Sequence, residues 1–122
     1  MKKLFSLFLL LTATVATVSA QDHPLWMRFP AISPDGQTIA FSYKGDLFTV
    51  PVTGGQARQL TTNAAYDAYP VWSPDGSQIA FASTREGSFD VWLMASNGGT
   101  PQRLTTVSGA EFPGTFRDAR PA

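Results

Sequence analysis

Short apolar runs separated by clusters of turn residues dominate the chain after its first 28 residues. Two of these runs have the same form, Ile39-Ala40-Phe41 and Ile79-Ala80-Phe81. Successive side chains of a strand point to opposite faces, so each run places two large side chains on one face and an alanine on the other. The pattern predicts an all-β fold, in which the alanine side is small enough for a neighbouring sheet to approach.

The pattern is an internal repeat. Segment 30–36, Pro-Ala-Ile-Ser-Pro-Asp-Gly, returns forty residues later at 70–76 as Pro-Val-Trp-Ser-Pro-Asp-Gly. A Gly-Gly pair and a Leu-Thr-Thr triplet close both units, at 54–55 with 60–62 and at 98–99 with 104–106. A period near 40 with four short strands per unit is typical of β-propeller blades. We therefore predict two four-stranded antiparallel blades of an incomplete β-propeller.

The turns of each unit contain residues suited to their geometry. In Ser-Pro-Asp-Gly, proline presets the φ of a type I turn, serine offers a side-chain hydrogen bond and glycine accepts a positive φ. Third strands are predicted over 47–52 and 91–95, and polar last strands over 58–60 and 102–104. The second unit is four residues longer, and we place the addition in a polar hairpin tip at 83–89, where length changes are tolerated.

The repeat divides the chain into five parts. They are a signal segment at 1–20, a leader at 21–28, one blade at 29–69, a second blade at 70–112 and the degenerate start of a third repeat at 113–122. Propellers close with about four to eight blades. We therefore expect a fragment, or a chain shortened by a shifted or damaged reading frame, and the alternative is a ring completed by self-association. Six apolar side chains are expected to be exposed if the chain folds alone: Phe29, Ile32, Phe41, Trp72, Phe81 and Trp92.

The first twenty residues have the three parts of a secretory signal peptide. Lys2 and Lys3 precede an apolar stretch at 4–11, and small residues follow up to Ala20. The stretch is short for a membrane anchor. We expect cleavage after Ala20, a mature chain that begins at Gln21, and a periplasmic or secreted protein that is not attached to the membrane. A lipid-anchored form is excluded because the chain has no cysteine.

Charge and cysteine content narrow the function further. The chain has nine basic and nine acidic residues, and loss of the two signal lysines leaves seven basic residues and a formal charge of −2. This balance gives no nucleic-acid footprint. The absence of cysteine excludes disulfides and thiolate chemistry.

The sequence predicts no catalytic residues, no metal site and no cofactor. The single histidine, His23, lies in the leader, and no Gly-x-Ser-x-Gly elbow surrounds any serine. Ser33 and Ser73 are interpreted as turn residues. Nucleophilic catalysis requires a base beside the nucleophile, and neither a phosphate-binding glycine loop nor a cluster with metal-ligand spacing is present.

Seven residues are candidate ligand contacts. Asp35 and Asp75 recur in both blades, as the members of a cation-binding ring would, but an aspartate in this turn is explained by hydrogen bonds to nearby amides. Trp72 and Trp92 occupy apolar strand positions and are predicted to pack rather than to bind a ligand. A peptide carboxylate is a conceivable partner for three arginines, although solvated loop or edge positions are favoured: Arg28, Arg85 and Arg103.

The pattern Pro-x-x-Ser-Pro-Asp-Gly-x-x-Ile-Ala-Phe, with a following Asp-Leu-Phe or Asp-Val-Trp, a Gly-Gly turn and Leu-Thr-Thr, resembles the Pro-Asp-Gly class of propeller repeat. Segment 24–36, directly after the signal peptide, most resembles the start of exported tricorn-like serine peptidases. The resemblance covers about residues 24–111. It implies a non-catalytic propeller that gates or channels peptides to protease domains lying later in the parent, so no catalytic residue is carried over.

Two other readings stay open. One is a propeller like that of the Tol system, which binds a protein partner of the envelope. The other is the propeller cap of a prolyl-oligopeptidase-type hydrolase. The Tol resemblance implies a separate domain before the blades, whereas only 21–28 separates the predicted cleavage site from the first blade, which favours the tricorn-like reading. The implied partners are peptides or a protein, together with the missing blades and protease domains.

Overall fold

The computed structural model describes residues 26–106 and 109–114, which form two four-stranded antiparallel sheets. Each strand pairs with the next along the chain, so each sheet is a meander and the predicted pair of propeller blades is confirmed. Blade 1 consists of β1 (Arg28–Ile32), β2 (Thr38–Tyr43), β3 (Asp46–Pro51) and β4 (Arg58–Gln59). Blade 2 consists of β5 (Asp67–Trp72), β6 (Gln78–Glu86), β7 (Ser88–Ala95) and β8 (Gln102–Arg103). Within these residues no helix is long and apolar enough to cross a membrane.

A mixed core joins the two blades. It combines the small face of blade 1, Ala40 with Leu47, and the large face of blade 2, which includes Ile79, Phe81 and Met94. Phe81 and Ile79 are fully buried, and each large side chain buried in this way contributes about 1.5–3 kcal/mol. The alanine side of the first apolar run therefore receives the neighbouring sheet, as its pattern predicts. Three half-buried side chains complete the cluster: Leu60, Trp72 and Trp92.

The same arrangement begins again on the far side of blade 2. Ala80 and Val91 form a second buried cluster, against which Leu93 and Leu104 pack. Strand pairing places Ala80 and Val91 at the positions that Ala40 and Leu47 hold in blade 1. We call this surface the alanine face of a blade, and we call the opposite surface the large-residue face.

The two sheets converge at their first strands. Strand β5 contacts β1, β2 and β3, whereas among the described residues no contact joins β4 to β8. Polar bonds fix this approach: the Trp72 indole N–H donates to the carbonyl of Ala31 at 2.9 Å, and the Asp67 amide donates to the carbonyl of Gly45 at 2.8 Å. The Ser42 hydroxyl donates to the carbonyl of Asp67 at 2.7 Å. The first strands are therefore the inner strands of the two blades.

The hairpins opposite the Ser-Pro-Asp-Gly turns differ between the blades. Blade 1 closes with the two-residue turn Lys44-Gly45, whose φ values are 50° and 83°. The extra residues of blade 2 lie within 83–89 as predicted, but they extend the strands and not a loop, because β6 continues to Glu86 and β7 starts at Ser88. Gly87, at φ 104°, makes the turn. The extra residues thus lengthen the hairpin, and an irregularity between Ser83 and Glu86 absorbs the change of register.

The expected exposure of six apolar side chains is wrong for two of them. Phe81 is fully buried by blade 1, and Phe41 is 6% exposed. The ring of Phe48 stacks on Phe41 with centroids 5.7 Å apart, so a cross-strand neighbour covers the side chain where a further blade is absent. Ile32 is exposed as expected, at 63%, and the other three are half-buried: Phe29, Trp72 and Trp92.

Candidate functional site

The Ser-Pro-Asp-Gly turn of blade 1 is held by its own side chains. The Ser33 hydroxyl donates to the Asp35 carboxylate at 2.5 Å and accepts the Thr38 amide at 3.0 Å. The same carboxylate oxygen accepts the amide of Gln37 at 3.0 Å. Gly36 follows at φ 72°. The turn assignment of Ser33 is confirmed, and the Asp35 carboxylate is engaged within the turn.

Blade 2 reproduces this arrangement, and its electrostatics follow from it. The carboxylate of Asp75 accepts the Ser77 amide at 3.0 Å, the Ser73 hydroxyl at 2.7 Å and the Ser77 hydroxyl at 2.7 Å. These bonds to the ionised form lower the pKa of Asp75 to about 2. In blade 1 the Ser33 hydroxyl and then the Gln37 amide lower the pKa of Asp35. The hydrogen-bonding explanation of both aspartates is confirmed.

Both tryptophans pack between the blades, as predicted. Trp72 contacts the core cluster while its N–H donates to blade 1, so one side chain contributes apolar contact and a hydrogen bond. Trp92 packs against the same cluster, and the guanidinium of Arg85 lies 5.4 Å from its ring centroid. These positions make both residues part of the interface between blades.

Two of the three candidate arginines neutralise buried carboxylates. Arg85 contacts Asp67 at 3.0 Å and Arg103 contacts Asp90 at 2.8 Å, and both aspartate side chains are fully buried. Because a buried carboxylate requires a partner, both guanidinium groups are explained by their aspartates without any ligand. Arg28 differs from them: it is exposed, and its guanidinium lies 6.0 Å from the centroid of the Trp26 ring. Of the three arginines, Arg28 remains the candidate for contact with a peptide carboxylate.

The buried carboxylates are not equivalent in the two blades. Asp46 holds in blade 1 the position of Asp90, but its partner is the neutral side-chain amide of Gln59, at 3.2 Å. Burial, and then the charge of Asp67, raises the pKa of Asp46, and Arg85 partly opposes this effect. One oxygen each of Asp46 and Asp67 has no hydrogen-bond partner among the described protein groups. The contact between the blades thus includes two carboxylates, of which only Asp67 is paired with a guanidinium.

A row of aromatic rings lies along the inner strands. The rings of Phe29 and Tyr69 have centroids 4.0 Å apart, and Phe112 lies 5.0 Å from Tyr69. Each ring directly precedes a proline, at 30, 70 and 113, so the three occupy equivalent positions of successive repeats. We call these residues the inner aromatic row. They were not among the predicted ligand contacts, although the repeated aromatic-Pro dipeptide was a signal that could have shown them.

A cationic cavity is linked to the row by neighbouring residues, although none of the three rings of the row lines it. It measures about 310 Å³ and is lined by Trp26, Arg28, Ser42, Lys44, Gly45 and Tyr66. Arg28 of the cavity precedes Phe29 in β1, and the ring of Phe89 connects Tyr66 of the cavity to Phe112 of the row. No carboxylate lines this cavity, and within 26–106 and 109–114 neither Arg28 nor Lys44 forms a salt bridge. The two cations are available to an anionic group.

A second cavity, of about 350 Å³, lies between the two Ser-Pro-Asp-Gly turns. Asp35 and Asp75 both line it, and the Arg58 guanidinium crosses it to donate to the carbonyl of Asn97. This bond ties blade 1 to the Gly-Gly turn of blade 2. The cavity therefore belongs to the contact between blades.

The predicted signal segment at 1–20, His23 and residues 115–122 lie outside the described residues. Within the described part, no group of three or more His, Cys, Asp or Glu side chains is placed to hold a metal ion. Export and the division of the chain into parts stay predictions.

Two repeated meanders, packed face to face through a small face and a large face, define a pair of β-propeller blades. The chain belongs to the family described as the tricorn protease N-terminal beta propeller domain, which matches residues 24–119. The resemblance to the propeller of tricorn-like peptidases is thereby confirmed.

Individual proteins agree with the family assignment. The chain is 35% identical over 82 residues to tricorn protease homolog 1 of Streptomyces coelicolor, covering 67% of this chain and 8% of that protein. The solved structure of the tricorn protease matches with a TM-score of 0.58 and 25% identity, covering 67% of this chain and 8% of that one. A putative TolB from Agrobacterium tumefaciens matches with a TM-score of 0.59 and 29% identity, covering 65% and 30%. The chain thus spans less than a third of the length of each of these relatives.

Proposed function

We propose that this chain is a non-catalytic propeller module that binds peptides and, together with further blades, guides them to the protease domains of an exported tricorn-like peptidase. The family assignment supports the class of protein, and the relatives' greater length agrees with a module of a larger assembly. The peptide-binding role is a proposal based on the surfaces that the two blades leave open.

The observation that carries the proposal is that each blade has a second face of the kind found between the blades, and that no other blade packs on this face among the described residues. On blade 2, Ala80 and Val91 present an alanine face that matches the one buried in blade 1. On blade 1, the residues opposite the interface are Ile39, Phe41 and Val50, beside a cavity of about 320 Å³ that is almost entirely apolar. Further blades with the same repeat fit both surfaces.

The inner strands supply the binding surface. The inner aromatic row and the cationic cavity are on the side where the blades converge, which is the channel side of a closed propeller. An apolar surface beside unpaired cations is suited to polypeptide segments. It includes no group that can act as a nucleophile with a base beside it, so the module is proposed to bind and not to cleave.

The test is peptide binding and peptide turnover by the purified full chain. A fluorescein-labelled tryptic digest of casein is titrated with the protein, and anisotropy is followed while reverse-phase chromatography records cleavage. We expect saturable binding with no cleavage above a buffer blank. Absence of saturable binding would remove the peptide-binding role, and turnover would show that the module is catalytic.

A second candidate function has the structural match to the putative TolB in its favour. In this reading the propeller docks a folded envelope protein and has no affinity for unstructured peptides. The same titration separates the two, because the Tol-like function predicts a flat anisotropy curve with the casein digest and one-to-one complex formation with a folded partner.

A further inference from the structure

We propose that the inner aromatic row and the cationic cavity together bind an extended peptide segment in which a carboxylate lies next to an aromatic or large aliphatic side chain. The apolar side chain is held by Phe29, Tyr69 and Phe112, and the carboxylate by Arg28 and Lys44. The inference rests on the peptide-binding function proposed above and names its ligand class.

The backbone of the row is strained at two equivalent positions. Phe29 has φ 55° and Tyr69 has φ 57°, in the left-handed region that side-chain-bearing residues rarely adopt. Each lies at an irregularity of the inner strand, where register shifts between Arg28 and Ala31 and between Ala68 and Val71. Such strain persists where the surroundings enforce it, and it concentrates at functional sites. Its recurrence in both blades marks a built feature of the repeat.

The bulge at Tyr69 directs its ring away from the core, and Phe29 lies at the equivalent bulge of blade 1. Ala68 before Tyr69 is fully buried and Pro70 after it is buried, yet the Tyr69 side chain is 38% exposed. Phe112 is 47% exposed. A strand without the bulge would continue its alternation, so the extra residue is what directs the ring away from the sheet. The result is a set of rings fixed by contact with one another, which lose little conformational entropy when a ligand binds.

The charges select the ligand. Arg85 and Arg103 already neutralise buried aspartates, whereas Arg28 and Lys44 line the cationic cavity without an acidic partner among the described residues. A guanidinium binds a carboxylate through two parallel hydrogen bonds. The exposed edge of an inner strand offers backbone groups to an extended chain. The carboxylate comes either from an acidic side chain or from a peptide C-terminus, and both sources present the same group.

The test uses the full chain and labelled peptides of one length. One peptide carries Phe-Asp followed by an amidated end, and its control carries Phe-Asn with the same end. Another ends in Phe with a free carboxylate, and its control ends in Phe-amide. Ala-Asp with an amidated end tests the apolar side chain. Affinities are measured by fluorescence anisotropy at low and at physiological salt.

Variants of the row and of the cavity give the discriminating result. We expect Tyr69→Gly, which removes the ring and suits the positive φ, to weaken binding about tenfold or more, as loss of a central aromatic contact does. If the ligand carboxylate is an acidic side chain, Arg28→Gln is expected to abolish the preference for Phe-Asp over Phe-Asn. If it is the peptide C-terminus, the same variant is expected to abolish the preference for the free end over the amide. Ile32→Ala is the matched control, since Ile32 is an exposed apolar residue of the same strand outside the row, and its binding is expected to be unchanged. Circular dichroism and thermal melting verify that each variant is folded.

The outcomes separate the two proposals. If peptides bind but Tyr69→Gly and Arg28→Gln bind like the parent chain, the assignment of the site is wrong while the peptide-binding function stands. If no peptide binds the parent chain, both are wrong. Equal affinity for the acidic peptides and their neutral controls would overturn the carboxylate assignment. Weaker binding of the Ala-Asp peptide than of the Phe-Asp peptide would support the role of the rings.

Discussion

Replacing Arg85 with methionine is expected to destabilise the chain strongly. The Asp67 side chain is fully buried and Arg85, itself 14% exposed, is its cationic partner at 3.0 Å. Removing one member of a buried ion pair costs about 3–5 kcal/mol because the remaining charge is uncompensated. Methionine keeps an unbranched apolar side chain of similar length, so lost packing contributes little. Loss of the cation–π contacts of the guanidinium with Phe81 and Trp92 adds about 0.5–1 kcal/mol.

The assay is urea unfolding of the full chain followed by tryptophan fluorescence, for Arg85→Met, Asp67→Asn and the double variant. A buried neutral amide without a partner costs about 1–3 kcal/mol, less than a buried charge without one. Adding Asp67→Asn to Arg85→Met is therefore expected to restore roughly 1–2 kcal/mol. Arg103→Met is the matched comparison: Arg103 is 32% exposed and the Thr105 hydroxyl also approaches Asp90, so a smaller loss is expected.

Two results would refute this reasoning. A loss of less than about 1 kcal/mol for Arg85→Met would place the pair among weak surface ion pairs. A double variant less stable than Arg85→Met would show that the Asp67 carboxylate is stabilised by groups other than the guanidinium.

Four further outcomes are expected. Trp72→Ala should cost about 3–5 kcal/mol through a cavity, and Trp72→Phe only about 1 kcal/mol for the lost hydrogen bond, measured by the same unfolding assay; equal losses would contradict the packing role. The folded pKa of Asp75 lies at about 2, below its ordinary 3.8, so its contribution to stability is present above pH 3.8 and is lost as pH falls towards 2. The raised pKa of Asp46 has the opposite effect, so Asp46→Asn should stabilise the fold more at pH 7 than at pH 3. Measuring the free energy of unfolding across this pH range tests both. Neither the parent chain nor His23→Ala should hydrolyse a chromogenic peptide or ester above background. Hydrolysis by the parent chain that His23→Ala removes would show that His23 is catalytic. Amino-terminal sequencing of the exported protein should give Gln21, whereas an intact Met1 would indicate an anchor.

The elements that the sequence predicts well are those determined by neighbouring residues. The Ser-Pro-Asp-Gly turns form all their stabilising bonds within a few residues, as Ser33 does with Asp35 and Thr38. A repeated local pattern therefore identifies hairpins, strands and the small face of each blade. The family resemblance was likewise visible, because it depends on the same motif.

The candidate site was less accessible because it depends on tertiary structure. A residue before proline is biased towards extended backbone, so the left-handed conformations of Phe29 and Tyr69 contradict the local preference and arise from the bulges. The pairing of Arg85 with Asp67 spans 18 residues and depends on the lengthened hairpin of blade 2. The sequence alone does not distinguish Arg85, which pairs with a buried aspartate, from Arg28, which forms no salt bridge among the described residues.

The contact between the blades has a direction, because the alanine face of blade 1 meets the large-residue face of blade 2. Such a head-to-tail joint can be repeated without limit, since every added repeat of about 40 residues brings both halves of the next joint with it. The contacts between two blades therefore do not by themselves determine the number of blades. The circumference of the ring is set only by the angle at which successive sheets meet, and that angle depends on the volume of side chains such as Ala40 and Ala80. Enlarging a single alanine would thus change the curvature at one joint, and a ring must absorb that change at all the others or fail to close.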